Sequence, residues 1–320
     1  DLTDVDLSFA NLTSTILTDA DLTDAYLVGA TLTNTTLTGA TLRAATLSGS
    51  NISASQLRAA EDVAYVNVTG NNMTGFDLTD VDLSFANLTS TILTDATLTG
   101  ATLTGANLHQ ALLPSAMPSL PVINGAVVTV SSPLAVSGSV QVDTGGNLSV
   151  TSDSFTAAGV NMQGGTVHGI FGLDLDEIDD VSGHGRLFGD VDLGTSGTIA
   201  GSGAGLALYG DVSGTGTISG TSIFGNVSPG NSAGQLGLTD VLLSSAGTLN
   251  LEIGGTDTQQ YDQVTLDGTV VLAGNLEVQL INSFVPQVGD TFSLFDLVPS
   301  VDLQGGFTDI LLPGLAGGLW

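Results

Sequence analysis

From Asp1 to about Leu113 the hydrophobic pattern has a period of five. An apolar residue, nearly always leucine, returns at Leu2, Leu7, Leu12, Leu17, Leu22, Leu27, Leu32, Leu37, Leu42, Leu47, Ile52 and Leu57. Helical core positions recur at spacings of three and four, so neither a heptad nor an amphipathic helix fits. Two places before many of these positions stands a small residue: Ala10, Ala20, Ala25, Ala30, Ala40 and Ala45. Each unit therefore sends one large and one small side chain inward, as a narrow coil interior requires. The pattern predicts stacked turns, a solenoid.

The period breaks between Ser53 and Val66, where Ala54-Ser55-Gln56-Leu57-Arg58-Ala59-Ala60-Glu61-Asp62 reads as one or two helical turns. It resumes at Val68, Met73, Leu78, Leu83, Leu88, Leu93, Leu98, Leu103, Leu108 and Leu113. The step from Leu57 to Val68 is one residue longer than two units, which predicts an inserted corner. Residues 1–20 and 77–96 are identical, so both stretches should share one coil cross-section. The repeated A-(D/N/T)-L-(T/S)-x, as in Ala10-Asn11-Leu12-Thr13, Ala20-Asp21-Leu22-Thr23 and Ala106-Asn107-Leu108, resembles the pentapeptide-repeat family. That resemblance covers the first third of the chain and implies a right-handed, four-sided β-helix with four pentapeptides per coil. About five and a half coils at the ~4.8 Å strand spacing would span roughly 26 Å.

Three prolines in 114–121 (Pro114, Pro118, Pro121) mark the end of this region and read as a linker. From Val122 the pattern changes to short alternating runs with glycine at their ends, such as Ala126-Val127-Val128-Thr129-Val130 and Gly138-Ser139-Val140-Gln141-Val142. Units such as Gly189-Asp190-Val191 and Gly216-Thr217-Ile218 continue this style and suggest an irregular parallel β-helix over 122–235. The remainder, 236–320, is expected to form a C-terminal β module. The fold expected for the whole chain is thus all-β: a pentapeptide β-helix over 1–113, an irregular parallel β-helix, and a β module.

Near residue 225 the sequence carries Gly225-Asn226-Val227-Ser228-Pro229-Gly230-Asn231-Ser232-Ala233-Gly234-Gln235-Leu236. Farther on come Gly247-Thr248-Leu249-Asn250-Leu251-Glu252-Ile253-Gly254-Gly255, Tyr261-Asp262-Gln263-Val264 and Gly289-Asp290-Thr291-Phe292-Ser293-Leu294-Phe295-Asp296. In that order they resemble the C-terminal parts of bacterial autotransporter-like passenger domains and of exported surface proteins, including those with a PEP-CTERM sorting tail. The resemblance implies a secreted or cell-surface location. A chain that starts at Asp1 fits a processed export signal.

Composition narrows the function. The 320 residues include 43 glycines and no cysteine, and the net charge is −29 with three arginines (Arg43, Arg58, Arg186) as the sole strong bases. Nucleic-acid phosphate is excluded as a partner, because such binding is driven by Lys and Arg. Absence of cysteine excludes a disulfide framework, a thiol nucleophile and thiolate metal sites. Nothing reads as a membrane-spanning helix; the apolar run Ile310 to Trp320 is too short and contains Pro313.

Catalytic signatures are missing. His109, His168 and His184 lack zinc-type spacing, no G-x-S-x-G elbow occurs, and Gly201-Ser202-Gly203-Ala204-Gly205 lacks the lysine and strand-to-helix setting of a phosphate loop. The chain reads as a non-enzyme. The best local ligand candidate is Asp174, Asp176, Glu177, Asp179 and Asp180, a carboxylate cluster of the kind Ca²⁺ accepts. With charge unrelieved by lysine, packing of copies would need salt or divalent cations.

A solenoid exposes strand edges at its ends unless they are capped. Leu2 and Leu7 at one end, and Ile310, Leu311, Leu312, Leu315, Leu319 and Trp320 at the other, are therefore candidate self-association residues. The functional reading is an extracellular structural protein forming a homo-oligomer or homopolymer end to end, assisted by Ca²⁺. The alternatives are an acidic DNA mimic that binds proteins, and an ice- or surface-binding protein using pairs such as Thr31/Thr33 and Thr102/Thr104. Eight N-x-(S/T) triplets leave glycosylation open.

Overall fold

The computed structural model describes residues 1–123, 125–131, 133–152, 155–169, 173–174, 180–230 and 233–314. It is nearly all-β, with strands paired in parallel, and its one described helix is Ala54–Ala59. The chain divides into two compact units, Asp1–Asn161 and Met162–Trp320.

In the first unit each pentapeptide is one side of a square coil. Asp21 pairs with Thr41, Asn67 with Asn87 and Asn87 with Asn107, so one coil takes 20 residues. The corners are residues in the left-handed region, four to a coil: Asp4, Phe9, Ser14 and Asp19 in the first, with φ of 56–59°. Leucine and alanine both point inward, and Leu22, Ala25, Leu42, Ala45, Leu88 and Ala106 are fully buried.

The first position of the unit explains the preference for Asp or Asn. Oδ1 of Asn11 accepts from the amide (3.1 Å) and hydroxyl (2.6 Å) of Thr13, and Asp21, Asn72 and Asp77 do the same two residues on. This Asx-type bond satisfies a turn amide locally, so the motif D/N-L-T is a corner written in sequence. The Thr23 hydroxyl, then its amide, hold the Asp21 carboxyl below the usual range, and Thr79 does so for Asp77.

The break at 53–66 is an inserted corner. Thr41 pairs with Asp62 and Thr46 with Asn67, each return one residue longer than the standard coil. Ser53 caps the helix, and the Gln56 side chain closes the box by accepting from the Ser53 amide. Gln56 is buried and also donates to the carbonyls of Leu32 (2.7 Å) and Thr35 (2.9 Å), bonds that fix the helix to the coil before it.

Residues 114–121, expected as a linker, hold two short strands instead. Ala116–Met117 pairs with Ala135 and Val136, and Leu120–Val122 with Val140 to Val142, inside Leu134–Asp143. Pro114 and Pro118 lie just outside the strands, and Pro121 is tolerated within one because proline loses only its donor there. Val127–Val130 opposite Asn147–Val150 keeps a return of 20 residues after the pentapeptide sequence has ended.

The second unit coils less regularly. Val212 opposes Val227, fifteen residues on, whereas Gly216 opposes Leu236, twenty on. Toward the C-terminus the rung lengthens: Gln235 pairs with Gln263 and Asn275 with Asp309. Parallel pairing crosses the expected boundary at 235/236 without interruption, since Gln235–Thr239 lies between Gly216–Ser219 and Gln263–Asp267. The extra length is taken up by features such as an antiparallel bridge from Ile253 to Tyr261.

Candidate functional site

Most of the predicted cation cluster lies outside the described residues. Asp174 ends the strand Leu173–Asp174, with its backbone opposite Asp192, and Asp180 is exposed at the start of Asp180–Phe188 opposite Thr198. Asp176, Glu177 and Asp179 lie outside the described residues. Among the described residues no group of three or more His, Asp or Glu is placed to hold a metal ion.

The residues predicted for self-association fall at two kinds of open surface. Leu2, Leu7, Leu12 and Leu17 are half-buried, while their counterparts Leu78, Leu83, Leu88 and Leu93, in identical sequence between two coils, are fully buried. In the last rung among the described residues, Leu297, Leu303 and Ile310 stand opposite Leu266, Val270 and Leu276. The inner three are core residues, yet Leu297 is 50% exposed, Leu303 44% and Ile310 60%. Leu311 and Leu312 are exposed too. Ile310 and Leu311 belong to the strand Asp309–Leu311, which pairs with Asn275 to Glu277. Leu315, Leu319 and Trp320 lie outside the described residues.

A surface ladder was not anticipated. His168, Phe188, Tyr209 and Phe224 stack ring on ring, with centroids 4.7, 4.6 and 4.7 Å apart and planes within 12°. After each ring comes a glycine, and a Cβ on Gly189, Gly210 or Gly225 would lie 2.0 Å from the carbonyl oxygen of the glycine one rung earlier. Asp or Asn follows the last three. The Asp190 side chain accepts from the Asp211 amide (2.9 Å), Asp211 from the Asn226 amide (2.8 Å), and Asn226 from the Thr248 amide (3.0 Å). The signal was present as aromatic-Gly-(Asp/Asn)-Val at 188–191, 209–212 and 224–227, hidden by unequal spacing. Because ring faces cover one another, the ladder offers edges rather than faces to solvent.

Two of the three histidines make contacts within the coils. His109 Nδ1 accepts from the Val127 amide at 2.9 Å, and His168 stacks on Phe188. A surface depression of about 830 Å³, lined in part by Thr198, Thr217, Gly237, Thr265 and Asp267, presents hydroxyls and one carboxylate. The outward column Asp6, Tyr26, Thr46, Asn67, Asn87, Asn107 is mixed, so this side of the coils is not a threonine grid.

One buried carboxylate stands apart. Asp262 is 1% exposed, and burial pushes its carboxyl up to about 6 even though it accepts amide bonds from Gly234 and Glu252.

The family model described as pentapeptide repeats matches residues 1–39, 25–61, 65–100 and 77–113, in eight copies. The N-terminal region is therefore a pentapeptide-repeat β-helix, in agreement with the square coils. No curated protein and no solved structure matches the chain.

Proposed function

We propose that this protein is a structural, non-catalytic β-helical protein that associates with copies of itself through the open ends of its coils, outside the cell. The observation that carries the reading is the last rung, where Leu297, Leu303 and Ile310 continue buried core columns and yet remain exposed. Apolar side chains in water beside unpaired strand edges favour association. The first coil supports it as well: the face that 1–20 shares in sequence with 77–96 accepts another coil in the second copy, where Asn67 pairs with Asn87.

Export is the expectation that follows from the resemblance of the sequence at 225–236, 247–255, 261–264 and 289–296 to bacterial surface proteins, a region that the pentapeptide-repeat match, ending at residue 113, does not reach. Divalent cations assist assembly in this reading, because 32 acidic residues face three arginines. The test is sedimentation of the full chain across concentration, with CaCl₂ and with NaCl of equal ionic strength, beside Leu303→Asp/Ile310→Asp. Association that the double variant abolishes while remaining folded supports the proposal, and a monomer at every concentration refutes it. Calcium acting no more strongly than NaCl, in the parent and in a variant with Asn at Asp174, Asp176, Asp179 and Asp180, removes the cation.

A further inference from the structure

In the second unit the coil interior opens where one strand stops short. Thr248–Ile253 pairs with Asn275–Leu280 along its whole length, whereas Asp309–Leu311 pairs with Asn275 to Glu277 alone. Among the described residues no strand covers Val278 to Leu280 on that side. The chain turns at Asn282 and Ser283, both left-handed (φ 53° and 58°), and residues 286–294 come back to this gap. They leave a cavity of about 440 Å³ between themselves and the strands. Small-molecule sites span roughly 300–1,000 Å³.

The cavity has firm apolar walls. Ile253 and Val278, both buried core residues, line it together with Phe292, Leu294 and Leu312. Phe292 is held edge to face by Tyr261 on one ring contact (centroids 5.6 Å apart) and by Phe284 on another (6.0 Å), so this wall is in place before any ligand arrives.

The charged part of the lining has one sign. Asp290 sits in a turn in which the Gln287 amide donates to its Oδ2 (2.7 Å) and its own amide donates to the Gln287 carbonyl (3.1 Å). Two backbone bonds thus fix the carboxylate beside the apolar walls, and no basic side chain among the described residues lines the cavity. A net charge of −29 also concentrates cations around the whole molecule.

We propose that this cavity binds a small apolar amine, whose hydrocarbon or aromatic group packs on Phe292, Val278 and Leu312 while its ammonium group meets Asp290. Removing the apolar group from water supplies affinity, and the charge-assisted bond to the carboxylate supplies selectivity. An alcohol of the same shape gains only the first, and an acid is repelled. The inference stands apart from self-association, since Leu297, Leu303 and Ile310 do not line the cavity.

The test uses the full chain with phenethylamine as the probe, and 2-phenylethanol and 3-phenylpropionate as its neutral and anionic counterparts. NMR titrations read at the Val278 methyls and the Phe292 ring should show phenethylamine binding at about 1 mM or tighter, at least about tenfold more tightly than the alcohol. The acid should leave both residues unmoved. Asp290→Asn keeps an oxygen for the Gln287 amide and should erase the preference for the amine, with the alcohol's affinity unchanged. On the parent protein, raising NaCl should weaken the amine and spare the alcohol, a readout that decides if the variant does not fold. Shifts that miss Val278 and Phe292 would assign the amine to the acidic surface at large and overturn the site. Equal affinity for amine and alcohol, or an Asn variant that keeps the preference, overturns it too. Binding that appears only once residues 315–320 are removed makes the chain's own apolar end the occupant, against the proposal.

Discussion

Leu12 and Leu88 occupy the same place in the same twenty-residue sequence, and only their surroundings differ. Leu88 is fully buried between coils; Leu12 is half-buried. Truncating a buried leucine removes its transfer energy and leaves a cavity, so Leu88→Ala should cost about 2–5 kcal/mol. Leu12→Ala should cost clearly less, and Thr89→Ala, beside Leu88, least. Denaturant unfolding of the three variants checks this, and equal losses at Leu12 and Leu88 would contradict the stacking. A sharper steric case is Gly210. An added methyl there would sit 2.0 Å from the Gly189 carbonyl oxygen, so Gly210→Ala should destabilise by about 1–3 kcal/mol through overpacking. Thermal unfolding followed by circular dichroism reads it. Leucine positions were legible because one residue type marks one direction; the glycine column was not, because glycine also marks ordinary turns.

Among the elements, the helix Ala54–Ala59 was readable from its local sequence and its cap, and the extra residue in the count located it as a corner. Its attachment was not readable. Gln56 donates to Leu32 and Thr35 more than twenty residues back, and no local pattern announces such a bond. Gln56→Ala should therefore lose more than Ser53→Ala: removing the amide takes the Gln56 donor from the Thr35 carbonyl, and from the Leu32 carbonyl that also accepts from the Thr35 amide, as well as opening the cap, at about 1–3 kcal/mol for a buried group left unpaired. Equal destabilisation of the two variants, measured by urea unfolding, would mean that the cap alone matters. The prolines of 114–121 teach the converse. They suggested an interruption, but strand pairing on either side of Pro118 continues with a 19- to 20-residue return, since a coil accommodates proline at its corners.

For the molecule as a whole, charge dominates. Two of the three arginines are already engaged, Arg43 with Asp62 at 3.2 Å and over the Tyr65 ring, and Arg58 with Asp77. Such partly exposed pairs contribute about 0–1 kcal/mol each, while a net charge of −29 repels itself throughout. Raising NaCl from about 0.01 to 1 M shortens the screening length from ~30 to ~3 Å, so the melting temperature should rise rather than fall. Scanning fluorimetry across that range gives the sign, and a decrease would show that the ion pairs outweigh the repulsion.

The sequence by itself determined the square coils of 1–113, their inward leucines and alanines, the corner insertion and the acidic surface. Each of these is written in contacts a few residues long, repeated at a constant interval: the Asx bond from position one to three and the inward leucine every fifth place. Tertiary structure decided the rest. In the second unit the return distance drifts from fifteen residues at Val212–Val227 to twenty at Gly216–Leu236 and longer at Asn275–Asp309, so side chains that stack across rungs keep no fixed separation in the chain. The His168–Phe188–Tyr209–Phe224 ladder and the bonds from the Gly234 and Glu252 amides to Asp262 are therefore legible only after the coil has closed. Parallel pairing between rungs, not sequence spacing, brings their members together.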